Sequence, residues 1–341
     1  MKKKKIKALV LLSGGLDSTL VAKLLSGQGI EVEAINFRTN FCGPSKARSA
    51  AQMLGRPLRE VDIREDFLAV LKKPKYGYGT GMNPCIDCHA LMLKKAAEII
   101  RKEGFDLVAT GEVLGERPMS QHKQALKIVE KESGLEGYLL RPLSAKLLEP
   151  TILEKQGLIE REKLLDIFGR SRKRQMALAK KFNIKNYPTP AGGCALTEKG
   201  FTRRLKELME HKPDFNSEDI DLIRIGRHFW VGGEYRNTFR QAQGIKRLLP
   251  ERSAEGTESK AYIQIILGRD EQENQILESL FKKDDILVEP DNFVGPTALI
   301  RGEKKDNSAI EKAKELIIKF SPKARNLEAD KLTFRISRGS K

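Results

Sequence analysis

The chain is poor in cysteine and has no long hydrophobic run. Its 341 residues contain four cysteines, too few to staple a chain of this length as a disulfide scaffold. Clustered cysteines in such a chain instead indicate a metal site or catalysis. No apolar run is long enough to cross a bilayer, so the composition excludes a membrane-spanning protein.

The first residues, MKKKKIKALVLL, are basic and then apolar, but they lack the other features of a signal peptide. The apolar part runs directly into SGGLDS and contains no small-residue cleavage site. We therefore expect a buried strand at residues 6–12, a cytoplasmic location and no membrane partner.

Acidic residues are too few to balance the basic ones, and the net charge is +17. Residues 1–200 contain 36 Lys and Arg against 22 Asp and Glu, whereas residues 201–341 contain 27 against 24. The densest basic stretch, GRSRKRQMALAKK, includes Arg172, Lys173 and Arg174. It predicts contacts to a polyanion, RNA above all, through phosphates and not bases. A solvated helix face is the alternative.

The first half of the chain alternates between short β-rich runs and amphipathic helical runs. We predict strands at residues 6–12, 31–37, 57–63, 105–110 and 137–143. This alternation predicts a doubly wound, mostly parallel α/β sheet over residues 1–182, with residues 150–182 helical and basic. NYPTPAGGCALT predicts a loop or linker at 183–200 that carries Cys194. Residues 201–341 predict a separate α+β domain.

The hexapeptide SGGLDS (13–18) follows the first predicted strand and opens a helix. Its glycines let backbone N–H groups approach a phosphate, and a helix N-terminus adds a positive dipole. Hydroxyls of Ser13 and Ser18 can donate hydrogen bonds, and Asp17 can help hold a metal ion. The dinucleotide and Walker A glycine patterns are absent. An ordinary β–α turn with Ser18 as N-cap is the alternative.

The hexapeptide resembles the PP-loop of the N-type ATP pyrophosphatases, which have an adenine nucleotide alpha hydrolase-like fold and adenylate a substrate with ATP. The match covers Ser13, Gly14, Gly15, Asp17 and Ser18. The resemblance implies that this loop holds the pyrophosphate portion of ATP with Mg²⁺. It also implies that backbone beyond the second strand contacts adenine, which would place Asn36 and Phe37 near the base.

A second segment, ATGEVLGERPMSQ (109–121), resembles the TGE…SQ segment of the tRNA thiouridine synthetases, a PP-loop branch. Gly111 of TGE would meet the nucleotide, and RPLSAK (141–146) follows at the next strand end. The resemblance covers about residues 6–200 and implies sulfuration of a tRNA uridine. It favours 4-thiouridine over the 2-thio product.

The motif NPCIDC allows three interpretations of Cys85 and Cys88. A redox dithiol would need a thioredoxin-like fold around it. A structural zinc site could use Cys85, Cys88, His89 and Cys194. A persulfide pair, Cys88 with Cys194, needs no metal, and a helix N-terminus could lower the pKa of Cys88. Asp87 is interpreted as a loop residue and Cys42 as an ordinary partly buried thiol.

One group of thiouridine synthetases resembles this chain more fully, with a CxxC and a distant third cysteine. The resemblance implies that Cys85, Cys88 and Cys194 hold a [4Fe–4S] cluster whose fourth iron lacks a protein ligand and can carry sulfide. Thiolates are the proper ligands of such a cluster. A sulfide or persulfide donor is then a required partner.

The C-terminal region contains motifs that predict binding to RNA. LGRDEQENQIL (267–277) and VGPTALIRG (294–302) resemble the RNA-binding domain of NFACT-type proteins, except that Asp270 stands where the pattern has Asn. Because no RNA-binding module precedes the first strand, we expect this function to be C-terminal. His228 and Trp230, in RIGRHFWVGGEYR, could stack on unpaired bases or pack in the domain. A role in forming a homodimer is the alternative for the domain.

Together these features predict an ATP-dependent tRNA sulfurtransferase that forms AMP and pyrophosphate. Asp17, Cys85, Cys88 and Cys194 are the predicted catalytic residues. Three alternatives stay open: a PP-loop enzyme with a nitrogen nucleophile and a zinc site, a thiolase that uses a persulfide, and a non-enzymatic RNA-binding protein.

Overall fold

The computed structural model describes residues 5–185, 187, 194–231, 262–302, 307–324, 328 and 331–339. The chain divides into two compact units, Met1–Thr202 and Arg203–Lys341. The second unit begins two residues after the predicted start of the C-terminal domain. A separate linker at 183–200 stays a prediction, because residues 186 and 188–193 lie outside the described part.

The N-terminal unit is built on a five-stranded parallel sheet. Its strands are β1 (Lys7–Leu11), β2 (Glu31–Arg38), β3 (Leu58–Asp62), β4 (Leu107–Ala109) and β5 (Leu139–Leu140). They are ordered β3-β2-β1-β4-β5, and every neighbouring pair is parallel. The predicted α/β sheet is confirmed, with β4 and β5 shorter than expected.

Helices cover both faces of this sheet. They are α1 (Leu16–Ser26), α2 (Ser45–Leu54), α3 (Arg64–Lys72), α4 (Cys85–Glu103), α5 (Lys123–Ser133), α6 (Ile152–Lys155) and α7 (Lys173–Lys181). Successive side chains of a strand point to opposite faces. Ala8 and Val10 therefore share a buried cluster with Leu20 of α1, whereas Leu9 packs with Leu93 of α4. Burial on both faces explains the continuous apolar run of β1.

The prediction that residues 150–182 are helical is largely wrong. Only α6 and α7 are α-helical there, with a short 3₁₀ turn at Arg161–Lys163 between them. A capping box at Thr151 starts α6, and Gly157 follows it at a φ of +68°. The sequence predicts helical structure throughout residues 150–182, but local capping and glycine conformations divide the segment.

Helix α4 begins six residues before its predicted start at Leu91. Pro84 is its N-cap, so Cys85 and Cys88 lie in the first turn of the helix and not in a loop. Buried Ile86 extends the apolar face formed by Leu93, Ala96 and Ile100, which explains the longer helix.

The C-terminal unit contains an antiparallel five-stranded sheet in the order β10-β8-β9-β7-β6. The boundary between the two units falls within α8. The elements from α8 onward are α8 (Lys199–His211), α9 (Ser217–Leu222), β6 (Arg227–Val231), β7 (Ile263–Leu267), α10 (Glu271–Ser279), β8 (Ile286–Pro290), β9 (Ala298–Gly302), α11 (Asn307–Phe320) and β10 (Phe334–Arg338). The predicted α+β class is confirmed, and β6 was not predicted as a strand.

Both faces of this second sheet are covered by apolar side chains. Ile265 packs with Ala313 and Ile317 of α11, whereas the adjacent Ile266 packs with Leu277 of α10. Throughout the described part of the chain, no helix combines the length and the apolar character that crossing a membrane would require.

Candidate active site

The PP-loop follows β1 and is held by its own hydroxyl groups. Gly15 N–H donates to Ser13 Oγ (3.3 Å), and the hydroxyls of Ser18 and Thr19 each donate to the Gly15 carbonyl (3.0 Å). Ser13 Oγ and Ser18 Oγ lie 3.2 Å apart. The N-cap of α1 is Gly15, so Ser18 lies within the helix and the N-cap alternative is wrong.

Two glycines of the predicted nucleotide site are required by close backbone approaches. A Cβ on Gly14, whose φ is +79°, would lie 2.2 Å from the Lys46 carbonyl carbon at the start of α2. A Cβ on Gly111 would lie 2.6 Å from the Ser18 nitrogen. The PP-loop, the start of α2 and the TGE turn therefore meet at the carboxyl edge of the sheet, where open α/β sheets bind ligands.

Asp17 is a half-buried carboxyl group whose negative charge is only partly compensated. Its Oδ2 lies 3.9 Å from Arg172 Nη2, and its Oδ1 has no hydrogen-bond partner among the described residues. Burial raises the pKa of Asp17, although Arg172 and Arg117 oppose this shift. Burial and the Asp17 carboxylate likewise raise the pKa of Glu116. An unpaired buried oxygen of this kind suits a bound cation.

Other buried polar atoms of Arg172, Gln175 and the TGE…SQ segment also lack partners within the described part of the chain. They are Arg172 Nε, both side-chain heteroatoms of Gln175, Ser120 Oγ and Gln121 Oε1. Gln175 lies against Asp17, and Ser120 and Gln121 form the SQ of the TGE…SQ segment. Because native proteins seldom bury unpaired polar groups, this concentration indicates a ligand site.

The resemblance implied that backbone beyond the second strand contacts adenine, with Asn36 and Phe37 near the base. Both residues lie within that strand. Strand β2 continues to Arg38, and Phe37 packs in the core with Ile35. Asn36 Nδ2 donates to the Leu12 carbonyl at 2.9 Å, while its Oδ1 has no described partner. Asn36 can therefore face a ligand, whereas the Phe37 side chain cannot. Their contact with adenine stays a prediction.

Glu112 of TGE is part of a buried ion network. It accepts from Thr110 Oγ1 (3.0 Å) and Arg141 Nε (2.9 Å), and it pairs with His89 Nδ1 (2.8 Å). Burial alone would raise the pKa of Glu112, but Arg141 and His89 lower it to about 2. The network ties the ends of β4 and β5 to the first turns of α4. Glu112 therefore positions the cysteine helix.

Cys85 and Cys88 lie in the first turn of α4, beside a loop that is hydrogen-bonded to the same turn. Asn83 Nδ2 donates to Cys85 Sγ at 3.1 Å, and Asp87 accepts from the N–H groups of Lys75 (2.9 Å) and Tyr76 (3.1 Å). Asp87 is thus a loop-ordering residue. Burial, and then Cys42 and Cys85, raise the pKa of Cys88, so the expected lowering by the helix N-terminus is wrong.

Cys194 reaches the same place from a distant part of the chain. Met82 N–H donates to the Leu196 carbonyl at 3.0 Å, and a Cβ on Gly81 would lie 2.3 Å from that oxygen. A hydrogen bond with the Cys42 thiol, followed by burial, raises the pKa of Cys194, to which Cys88 also contributes. Four thiols therefore lie close enough to interact, and Cys42 is exposed, whereas the sequence predicted a partly buried thiol.

A single zinc ion does not suit this arrangement. Zinc holds sulfur at about 2.3 Å, so its tetrahedral ligand atoms lie about 3.8 Å apart. Among the described residues, no three Cys, His, Asp or Glu side chains are grouped to hold a metal ion. His89 binds Glu112 instead. The four-ligand zinc alternative therefore lacks support.

The segment from Gly111 to Gln121 joins the nucleotide end of the site to the sulfur end. Gly111 abuts Ser18, and Arg117 is close enough to Asp17 to lower its pKa. Two residues later, Met119 Sδ accepts from Asn83 Nδ2 at 3.7 Å, and the same amide contacts Cys85. An adenylated group could therefore be met by a sulfur nucleophile without leaving this edge of the sheet.

Comparison with known families agrees with this geometry. A family model described as the tRNA methyl transferase HUP domain matches residues 6–194, more than half of the chain. The chain belongs to this family. A second model, described as the NFACT protein RNA binding domain, matches residues 258–341. The predicted PP-loop tRNA-thiouridylase family, with its NFACT-type domain, is thereby confirmed.

Curated relatives cover much of the same length. The tRNA-specific 2-thiouridylase MnmA of Syntrophotalea carbinolica is 27% identical over 292 residues, 80% of this chain and 77% of that protein. The protein of the same name from Stutzerimonas stutzeri is 27% identical over 71% of this chain, which spans 64% of its length. The Sulfurimonas denitrificans protein is 35% identical over 115 residues, 31% of this chain and 34% of that protein.

Two solved structures show weaker likeness. The U34-tRNA thiolase NcsA from Methanococcus maripaludis with its [4Fe-4S] cluster is 19% identical over 64% of this chain and 71% of its own, with a TM-score of 0.31. A 4-thiouridine synthetase–RNA complex with bound ATP is 20% identical over 63% of this chain and 53% of its own, with a TM-score of 0.35. Both TM-scores are low, so the fold is assigned from the strand order described above and not from these two structures.

The three predicted RNA contacts have different environments. Arg172 faces Asp17 inside the site, so the expectation that it contacts RNA on the surface is not supported. Arg174 is exposed and pairs with Asp166 at 2.5 Å, and Lys173 is exposed at the start of α7.

A second basic surface, the α5 stripe, consists of the exposed residues Lys123, Lys127 and Lys131. Their spacing by four residues places them on one helix face.

In the C-terminal unit, the NFACT-like motif residues bond to one another. Asn274 Oδ1 accepts from Thr297 N–H at 3.0 Å, and a Cβ on Gly268 would lie 2.0 Å from that same oxygen. Asp270 is the N-cap of α10 and accepts from Glu273 N–H at 2.9 Å, a role that either Asn or Asp can fill. The departure from the pattern therefore preserves the local fold.

His228 and Trp230 pack within this unit. His228 Nε2 lies 2.7 Å from the Ile225 carbonyl, and burial lowers the pKa of His228 to about 4. Trp230 stacks on His211 with ring centroids 4.7 Å apart. The packing alternative is favoured for both side chains. Residues 232–236 of the same predicted RNA-binding segment lie outside the described residues.

Proposed function

We propose that this protein is an ATP-dependent tRNA uridine 2-thiolase. It adenylates O2 of a uridine in tRNA and then replaces that oxygen with sulfur. The observation that carries the proposal is the Gly111–Gln121 segment, which contacts both the PP-loop and the cysteine site. The names of the curated relatives support the 2-position over the 4-thiouridine favoured by the TGE…SQ resemblance.

In the first step, uridine O2 attacks the α-phosphorus of ATP, and the bond to pyrophosphate breaks. The backbone of residues 13–18 and the N-terminus of α1 would hold the pyrophosphate. Mg²⁺, held through Asp17, would neutralise phosphate charge, and the unpaired Oδ1 of Asp17 fits that role. Arg172 and Arg117 would stabilise the charge of the leaving group.

In the second step, a hydrosulfide-level sulfur attacks C2, and the C–O bond to AMP breaks. AMP leaves with the former uridine oxygen, and loss of the sulfur-borne proton gives 2-thiouridine. The cysteine helix is positioned for this step by the pairing of His89 with Glu112. The chain contributes mainly by holding the two reactants at one edge of the sheet.

We propose that Cys85, Cys88 and Cys194 hold a [4Fe–4S] cluster. The three donors are all thiols, and no three ligand side chains among the described residues are grouped around one ion; a cluster does not require such grouping, because each of its thiolates binds its own iron. When bound, the cluster would supply an open iron for sulfide. Asn83 would orient Cys85 through its 3.1 Å contact.

Sulfur transfer by a persulfide on Cys88 and Cys194 is the alternative to the cluster. The two routes differ in their need for Cys85, because a persulfide pair uses no third thiol. Cys85→Ala is assayed anaerobically with a sulfide donor and, separately, with a persulfide donor, and it should form no thiouridine with either if a cluster carries the sulfur. Activity of Cys85→Ala that is retained with the persulfide donor, with a Cys88–Cys194 disulfide as the second product, would instead support the persulfide.

The proposed macromolecular substrate is tRNA, with the C-terminal domain as one contact. The α5 stripe, Lys173 and Arg174 are the phosphate contacts that we propose in the first unit, because their charge complements the RNA backbone. A sulfide or persulfide donor would supply the sulfur. A homodimer stays a prediction.

Nucleoside analysis tests the proposal. The full chain, reconstituted anaerobically with iron and sulfide, is incubated with tRNA lacking thiouridine, Mg-ATP and sulfide. Digestion and mass spectrometry should then show ATP-dependent 2-thiouridine, and Asp17→Asn should lower the rate of its formation by about 10²- to 10³-fold. The 4-thiouridine isomer alone would overturn the assigned position, and ATP consumption without any thiouridine would overturn the reaction.

A further inference from the structure

Phe168 is an exposed aromatic residue of the N-terminal unit. It is 66% exposed, whereas its neighbour Ile167 is 1% exposed. An apolar side chain left in water adds little to the stability of a fold, so stability alone does not explain a phenylalanine here. Isolated apolar residues are common on protein surfaces, but Phe168 is fixed in place beside the candidate active site.

The backbone around Phe168 is held by hydrogen bonds on both sides. Gly169 N–H donates to the Leu114 carbonyl at 2.8 Å. The buried Ser144 hydroxyl accepts from Leu114 N–H (2.9 Å) and donates to the Ile167 carbonyl (2.7 Å). The exposed ring is therefore carried by a backbone that is joined to the end of the TGE turn.

The ring lies against Gly115 of the TGE…SQ segment. Gly115 has a φ of +80°, and a Cβ there would lie 2.9 Å from Phe168 Cε2 and 3.1 Å from its Cζ. Gly115 N–H donates to the Gln121 carbonyl at 2.7 Å, and the buried Gln121 Oε1 has no partner among the described residues. The ring thus borders the segment that joins the nucleotide end of the site to the sulfur end.

Both chain segments that meet at the ring lead to the PP-loop within four residues. Arg172 follows Phe168 by four positions, and its Nη2 lies 3.9 Å from Asp17 Oδ2. Gly111 precedes Gly115 by four positions, and a Cβ on it would lie 2.6 Å from the Ser18 nitrogen. Phe168 is therefore on the rim of the candidate active site.

The ring lies on the side of the PP-loop away from β2. Phe168 pairs with Leu114, which follows β4, and Ile167 N–H donates to the Leu143 carbonyl, which follows β5, at 2.8 Å. In the sheet, β1 separates β4 and β5 from β2. A base that stacks on Phe168 would therefore approach from the side opposite to β2, where adenine is predicted.

Exposed cations accompany the ring. Arg170 and Lys173 are exposed and follow Phe168 by two and five positions. A ring with cations nearby suits unpaired RNA, because bases stack on the ring while Lys and Arg contact phosphates. We propose that Phe168 is a stacking platform for an unpaired base of the RNA substrate, next to the uridine that is modified. This inference rests on the proposed function, which names tRNA as the substrate.

Binding of unthiolated tRNA to the full chain tests the inference. Wild type, Phe168→Ala, Phe168→Trp and the control Tyr138→Ala are compared by filter binding at several salt concentrations, and the KM for ATP is measured for each. Tyr138 is also an exposed aromatic residue, but it precedes β5 and lies at the opposite edge of the sheet. Urea unfolding of Phe168→Ala should match wild type, because the ring is exposed.

Phe168→Ala should weaken tRNA binding by about 5- to 150-fold, the range for loss of one base–aromatic stack. The slope of log affinity against log salt should not change, since no phosphate contact is lost. Phe168→Trp and Tyr138→Ala should stay within about threefold of wild type. Equal affinity of Phe168→Ala and wild type would overturn the inference. A raised KM for ATP with unchanged tRNA affinity would also overturn it, because the ring would then meet adenine.

Tryptophan fluorescence gives a direct signature of stacking. Phe168→Trp and the control Tyr138→Trp each add one tryptophan to a chain that contains a single one, Trp230. After subtraction of the wild-type signal, tRNA should quench the emission added at position 168 and not that at position 138, because a base in contact with an indole quenches it. Equal quenching at the two positions would contradict a specific stack.

Failure of this inference can be separated from failure of the thiolation. If wild type forms 2-thiouridine and Phe168→Ala binds tRNA as wild type does, the reaction stands and the stacking role is overturned. If Phe168→Ala weakens tRNA binding but wild type forms no 2-thiouridine, the stacking contact stands and the proposed reaction is overturned. A wild-type chain that does not bind tRNA would overturn the inference outright.

Discussion

In the N-terminal unit, several motif residues carry atoms that have no hydrogen-bond partner among the described residues, whereas in the C-terminal unit the motif residues bond to one another. Asp17 Oδ1, Ser120 Oγ and Gln121 Oε1 have no hydrogen-bond partner in the described part of the chain. Asn274, by contrast, accepts from Thr297 N–H and sits against Gly268. Both regions match their family models, yet their motif residues serve different purposes.

The difference separates residues that bind a ligand from residues that build the fold. Buried polar atoms without partners are costly, so their concentration at one sheet edge is explained by a ligand that pairs with them. The C-terminal motif stabilises the start of α10 and its contact with the strand that follows. RNA binding by this unit would then depend on exposed side chains and not on the motif itself.

The largest expected effect comes from Asp17→Asn. Loss of the carboxylate should lower the rate of AMP formation by about 10²- to 10³-fold, the range for removal of one electrostatic contact to a developing charge. Stability should be retained, because burial already disfavours the charged form of Asp17. Rates are measured by AMP release, with exposed Asp166→Asn as the control. A rate within threefold of wild type, on the order of experimental scatter, would remove Asp17 from the site.

Glu112→Gln tests a residue of the N-terminal unit that builds the fold and does not bind the ligand. It should lower the free energy of unfolding by about 3–5 kcal/mol, because the buried Arg141 guanidinium loses its charged partner. Urea unfolding is the measurement. Glu162→Gln, at an exposed pair with Lys146, should cost no more than about 1 kcal/mol. Equal costs for both variants would show that the Glu112 network is not structural.

His228 makes the C-terminal unit sensitive to acid. Burial lowers its pKa from 6.5 to about 4 in the folded protein, so below pH 6.5 the unfolded chain binds a proton that the folded chain does not. Stability from this residue is present above pH 6.5 and falls as the pH drops toward 4. The loss should be about 2 kcal/mol between pH 7.5 and 5. His228→Gln should remove that part of the pH dependence in urea unfolding. An unchanged pH profile would contradict a buried neutral imidazole.

The smallest effect is expected at the α5 stripe. Lys127→Glu should weaken tRNA binding several-fold and reduce the slope of log affinity against log salt by about one, since one phosphate contact is lost. Unfolding should not change. Filter binding at several salt concentrations measures both quantities, and Lys102→Glu, at the exposed end of α4, is the control. Identical salt slopes for the two variants would argue against a specific contact at the stripe.

The sequence predicts the parallel sheet and the PP-loop well because both are local. β1 is a continuous apolar run, as expected for a strand buried on both faces, and SGGLDS follows it directly. Glycine at positions 14 and 111 also has a local cause, since close backbone approaches exclude a side chain at both. The α+β class of the second unit follows from its mixture of strand and helix patterns, whereas the strand order β3-β2-β1-β4-β5 is known only from the structure.

The features that the sequence could not predict depend on residues far apart in the chain. Cys42 was set aside because it lies outside the CxxC spacing, and only the fold brings it to Cys194. Its position just after β2 was a usable signal, because the other motifs also follow strand ends. Arg172 belongs to a basic run, and charge alone does not tell which side chain turns inward to Asp17. The Glu112 network is also unpredictable from the sequence, since its partners His89 and Arg141 come from two other segments of the chain.

The central claim is that one edge of the parallel sheet both adenylates a tRNA uridine and delivers sulfur to it. The most direct test measures AMP and 2-thiouridine in a single anaerobic reaction of the reconstituted full chain with tRNA, Mg-ATP and sulfide. The account predicts equal amounts of the two products, both absent without ATP. AMP that accumulates without 2-thiouridine, or 2-thiouridine that forms without ATP, would contradict it.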